Sequence, residues 1–163
     1  MMRKIIVLAI FSTAFFVTSC KESKTESNVE GVQISDSTKE GSFDVDGKSY
    51  SGKVSTQYFG SNKATDNFSV LCQQDEPFTL LQATFANEKD ASFPNLKPKG
   101  ESYKVSEGEF ELSLSVSDSQ KEFVSNEKSG GTIKVSGNEM TISNMKLFDA
   151  DGKEKTVSAT IKF

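Results

Sequence analysis

The stretch Phe110-Glu111-Leu112-Ser113-Leu114-Ser115-Val116-Ser117 alternates apolar and polar residues without a break. A strand turns successive side chains to opposite faces, so this pattern buries one face and leaves the other for water. A helix would need apolar spacing of three and four, and no segment of the chain shows it convincingly. The same period recurs in Val157, Ala159, Ile161 and Phe163, set against Ser158, Thr160 and Lys162. Tyr50, Val54 and Tyr58 share one parity, as do Ile133 and Val135, and Phe68, Val70 and Cys72. Asp46-Gly47, Gly137-Asn138 and Asp151-Gly152 lie between such runs, and these pairs suit tight hairpin turns. Apolar parity switches within Met140 to Leu147, where a bulge near Asn144 would produce the slip, and a similar switch is expected at Leu80-Leu81. The reading is all-β: an antiparallel β-sandwich or small β-barrel of roughly eight to ten strands.

Three parts are expected along the chain. Residues 1 to 19 begin with Arg3 and Lys4 and continue in an apolar run from Ile5 to Val17. That run is about 13 residues, where a membrane-spanning helix needs roughly 20, so it reads as a secretory signal peptide. Residues 20 to 41 are polar and charged, too poor in large apolar groups to fold, and read as a tether. About 20 residues of flexible chain span roughly 25 Å. Residues 42 to 163 form the β-rich globular domain. Thirteen phenylalanines are present, three of them in the signal, which leaves ten for the core.

Val17-Thr18-Ser19-Cys20 resembles a bacterial lipobox: an aliphatic residue, two small residues, then cysteine. The resemblance implies cleavage before Cys20, a lipid on its sulfur, and acylation (palmitate or a similar chain) of the new amino terminus. Several acyl chains hold a protein on a membrane where one does not. Lys21 stands where an Asp would resemble an inner-membrane retention signal. Charged residues just after the cysteine resemble surface-export signals of Bacteroidota lipoproteins, although here the acids are scattered. Lipobox, polar tether and single β domain together are similar to small Bacteroidota lipoproteins of unknown function. The stretches that carry this likeness are Gly41 to Gly47, Gly130 to Val135 and the final strand from Val157. It implies a cell-envelope location, at the outer membrane on a face left open, and transfers no catalytic residue.

Charge and composition limit the partners. Residues 1 to 19 hold two of the 19 basic side chains and none of the 23 acidic ones, so the remainder carries a net charge of about −6. Nucleic acid is not an expected partner. With Cys20 acylated, Cys72 is the one thiol left; its parity places it in the core. The chain has no histidine, which removes His-based triads, general bases and metal sites.

Other motifs read as structure. Asp44 to Gly47 and Asp149 to Gly152 both spell D-x-D-G, but a helix-loop-helix calcium site places its glycine sixth and a glutamate twelfth. They are expected to be acidic turns. Ser125 to Lys128 and Ser143 to Lys146 match the serine–lysine spacing, in β-rich sequence where that pair would not lie one helical turn apart. Glu107, Glu109 and Glu111 are expected on the solvated side of a strand, not paired across a cleft as a glycosidase requires. No cofactor, metal or catalytic residue is expected.

Two loops are the candidates for contact, Phe59 to Asn67 and Asn87 to Gly100. In the second, Phe93, Leu96 and Lys97 could form a contact surface, Phe93 and Leu96 being either apolar anchors or an inward cap on the domain. The expected function is a noncatalytic binding or accessory module, held to the membrane through the lipid on Cys20 and meeting a protein. The alternative is a barrel that carries a small apolar ligand, which would need an internal cavity.

Overall fold

The computed structural model describes residues 32–117 and 121–163, with side chains from residue 39 onward. Cys20, the signal segment and residues 20–31 of the tether lie outside the described residues. Among the described residues ten strands follow in order: β1 Val32–Val45, β2 Lys48–Phe59, β3 Phe68–Gln74, β4 Thr79–Phe85, β5 Lys97–Pro98, β6 Glu109–Val116, β7 Lys121–Val124, β8 Thr132–Ser136, β9 Glu139–Phe148 and β10 Glu154–Lys162. A short 3-10 turn, Asp90–Ser92, precedes β5. The strand β1 takes in residues 32–41 of the expected tether. Its polar residues carry no apolar signal, but main-chain pairing of Val32–Asp36 with Ser55–Phe59 needs none.

The architecture is a barrel, which decides between the two expected forms. Pairing runs β10-β1-β2-β3-β4-β6-β7-β9, and β9 pairs back onto β10 to close eight strands. Strand β8 extends the sheet beyond β9, and β5 lies parallel to β6. Closure removes the unpaired edges that an open sheet would expose. An eight-stranded barrel leaves an interior just wide enough for side chains to fill or for one small ligand. Here side chains fill it. Phe43, Phe68, Phe85, Phe110, Leu81, Leu112, Leu114, Met140, Ile142, Met145, Leu147 and Ile161 are all less than 2% exposed. Each comes from the apolar parity of its strand, so the alternation became the inner wall.

The bulge near Asn144 is present. Val157 pairs with Met145 but Ala159 pairs with Ile142, so Ser143 and Asn144 oppose Ser158 alone. Asn144 has φ 49° and its N–H donates to the Ser158 hydroxyl at 3.0 Å. This lets both Ile142 and Met145 face inward. No slip occurs at Leu80-Leu81: the register of β4 against β3 and β6 is continuous. Leu81 is buried inside and Leu80 lies half-buried on the outer wall.

Both acidic turns are tied to a neighbouring strand. Asp46 and Gly47 have φ 52° and 81°, the left-handed pair of a two-residue hairpin. Burial raises the Asp46 pKa, but Lys155, at 2.7 Å, and the Thr156 N–H outweigh it and leave the pKa lowered. Asp149 Oδ1 accepts from the N–H groups of Asp151 and Lys153, and its Oδ2 meets Lys121 at 3.1 Å. Asp151 also pairs with Lys121. These carboxylates serve as turn locks. Among the described residues strands β7 and β9 share the single pair Val124–Phe148, so the Lys121 bridges reinforce the thinnest seam of the barrel.

Candidate functional site

The antiparallel order gathers the β2–β3 and β4–β6 connections at one end of the barrel, with Phe163 close by. The β2–β3 loop is closed by Phe59 N–H donating to Asn67 O at 3.0 Å. Within it Asn62 accepts from Ala64 N–H, and Asp66 accepts from Asn62 N–H at 2.6 Å. The Asn67 amide then reaches the carbonyls of Phe85, Ala86 and Val105, each at 3.1 Å. One side chain thus joins the β2–β3 loop, the end of β4 and the far part of the β4–β6 connection. In that connection Asn87 Oδ1 accepts from Asp90 N–H and starts the 3-10 turn, whose Ala91 is buried.

The β4–β6 connection folds back over the outer wall. Ser69, on the outward parity of β3, is fully buried beside Gln82 and Thr84. Ser69 and Thr84 share a hydroxyl hydrogen bond of 2.7 Å, and the Gln82 amide donates to both. At the edge Lys99 forms an ion pair with Glu111. Tyr58, at the barrel mouth, donates to Glu88 at 2.6 Å, and Lys63 sits 4.8 Å above its ring. Burial, then the Glu88 carboxylate, push the Tyr58 hydroxyl up to about 12.

These parts enclose a groove of about 800 Å³. Its floor is Gln82, Thr84 and Glu111; its sides include Phe59, Asp66 and Asn67 from one loop and Asp90, Phe93 and Tyr103 from the other. Phe59 is 44% exposed and Tyr103 is 94% exposed, so aromatic surface stands open beside polar groups. Such a mixture suits recognition of a polar ligand with a flat or apolar face.

Of the anticipated contact residues, the structure brings only Phe93 to this groove. Leu96 packs against the core and borders a separate small cleft with Ile133 and Met145. Lys97 is exposed in β5, its N–H bonded to Gly108 O. Both anticipated loops do line the groove. Asn67, Gln82, Thr84, Asp90 and Tyr103 were not singled out from sequence. Their approach depends on how the long connection folds, and no local pattern marks it. Glu111 lies on the outward face of β6, partly exposed in the groove, where Lys99 pairs with it. Glu109 accepts from Ser106 N–H, and Glu107 stands exposed at the groove. Ser125 is buried, with its hydroxyl accepting from Leu112 N–H, and Lys146 pairs with Glu154. Among the described residues no group of three or more acidic or sulfur ligands is placed to hold a metal, and no helix is long and apolar enough to cross a membrane. Compared with protein-family models, curated proteins and solved structures, the chain matches none.

Proposed function

We propose that this protein is a lipid-anchored component of the bacterial cell envelope whose barrel is a noncatalytic binding module. The observation that carries the binding reading is a polar, aromatic-edged groove on the outer wall of a barrel whose interior is already packed. The anchoring rests on Val17-Thr18-Ser19-Cys20, and the outer membrane is the membrane proposed. A carrier of small apolar ligands is supported less well, because the inner wall is occupied by phenylalanine, leucine, isoleucine and methionine side chains. The absence of histidine and the structural engagement of Ser125, Asp149 and Glu111 support a noncatalytic role.

Two measurements test this. Mass spectrometry of the protein from native membranes should find it beginning at Cys20 with acyl mass added; an unmodified Cys20 would overturn the anchoring. A photo-crosslinking residue placed at Tyr103 should capture a partner in intact cells, while one at the exposed Phe78 in the β3–β4 connection should not. Equal capture from both positions, or none from Tyr103, would remove the groove as the contact site.

A further inference from the structure

Two carboxylates are buried among the described residues, Asp149 and Asp90. They differ in one respect. Asp149 is held by Lys121 and by the N–H groups of Asp151 and Lys153. Asp90 is only 5% exposed, yet no hydrogen bond or ion pair from the described residues reaches its carboxylate; its hydrogen bonds use the main chain, accepting from Phe93 N–H and donating to Asn87 Oδ1. Every fully enclosed side-chain oxygen or nitrogen among the described residues has a partner. The unpartnered oxygens of Asp90 therefore open onto solvent, and the space that Asp90 lines is the groove.

A carboxylate that no protein group partners and that opens only narrowly onto solvent invites a counter-charge from outside. Removing a charge from water is expensive unless a counter-charge and hydrogen bonds replace the water. Inside the groove the other charges are already balanced or solvated. Lys99 is neutralised by Glu111, and Lys89, Lys104 and Glu107 are exposed at the rim. Among the described residues, Asp90 is the little-exposed carboxylate of the groove with no paired side chain. A neutral hydroxyl would supply donors but no charge; a cationic group supplies both.

The surroundings favour a guanidinium over an ammonium. A guanidinium offers paired N–H donors that match a carboxylate, and its flat face stacks on aromatic rings. Phe93 and Tyr103 border the same groove as Asp90. The groove, at about 800 Å³, exceeds one such group and leaves room for the chain that carries it. We infer that Asp90 is the specificity point of the groove and receives an arginine side chain from a partner polypeptide, with Phe93 and Tyr103 packing against the guanidinium and its neighbours. This rests on the groove being the contact site.

The test uses the full-length protein in detergent and three short capped peptides, Gly-Arg-Gly, Gly-Lys-Gly and Gly-citrulline-Gly. Citrulline keeps the shape of arginine and removes its charge. Binding is read by NMR shifts of groove residues. The arginine peptide should bind saturably, at least about tenfold more tightly than the citrulline peptide and more tightly than the lysine peptide. Asp90→Asn should remove that preference, and Tyr103→Ala should weaken arginine binding without unfolding the protein. Equal binding of the arginine and citrulline peptides by the unmodified protein overturns the inference and leaves the groove intact as a contact site. Absence of saturable arginine binding overturns it also. The peptide comparison stands even if Asp90→Asn fails to fold, because it needs no variant.

Discussion

Gly41 of β1 and Gly52 of β2 stand directly opposite one another in the barrel wall. A Cβ at Gly41 would lie 2.7 Å from Val54 Cγ2 and 3.2 Å from Cys72 Sγ; one at Gly52 would overlap the Gln73 carbonyl. The pair lets neighbouring backbone and core side chains approach where the strands coil tightly. Gly52→Ala should therefore destabilise the protein by about 1–3 kcal/mol, the usual range for overpacking. Gly41→Ala should do less harm, because its obstacles are side chains that can shift. Urea midpoints measure both, and a Gly52→Ala protein as stable as the parent would show that β2 and β3 have room to separate.

Cys72 lies beneath that pair with no exposed surface. Burial pushes its thiol up to about 11, against weaker opposing bonds to Gly52 and Gly41. The thiolate is the reactive form, so Cys72 should resist iodoacetamide at pH 8 while folded and react fully in denaturant. Rapid labelling of the native protein would contradict the packing around it.

Tyr58 and Glu88 make stability sensitive to high pH. The folded pKa, about 12, lies above the ordinary tyrosine value near 10. Between these values the unfolded chain has lost the proton and the folded chain keeps it, so unfolding gains as pH rises. The contribution is complete below about pH 10 and disappears through about pH 12. Absorbance titration should show a late phenol transition that Tyr58→Phe abolishes and Glu88→Gln moves down. A transition unmoved by Glu88→Gln would mean burial alone sets it.

At the Asn144 bulge the left-handed backbone disfavours branched residues. Asn144→Val should destabilise by about 1–2 kcal/mol, while Asn144→Gly should be neutral or mildly stabilising. Thermal unfolding of the two variants side by side decides the matter, and equal loss in both would point to the asparagine side chain instead of its backbone.

Acid should weaken the β7–β9 seam. Burial raises the Asp149 pKa, but the Lys153 N–H, Lys121 and the Asp151 N–H together lower it below the ordinary carboxylate value. A depressed folded pKa gives stability that is full above the unfolded value and fades as pH falls through the folded one. Asp149→Asn should lower the urea midpoint at neutral pH and flatten its fall on acidification. An unchanged acid profile would place the sensitivity elsewhere.

The sequence by itself determined which side chains face inward in β2, β3, β6, β8 and β10, where several hairpins turn and where β9 slips by one residue, while it misplaced a slip at Leu80-Leu81. Period-two alternation is a property of adjacent residues, and Asp46-Gly47 or Gly137-Asn138 needs only its own backbone to define a turn. It also pointed to the two long connections that line the groove. What lies across the barrel is different in kind. Pairing of Ser42 with Thr160, and so closure instead of a two-layer sandwich, depends on edges that meet only after the whole sheet has coiled. The same holds for the site. Asp90 is an ordinary polar loop residue in the sequence; Asn67, reaching Val105, ties down the long connection, in which that carboxylate is 5% exposed and has no partner among the described residues. Burial and missing partners are relations among distant residues, so only the folded chain could decide them.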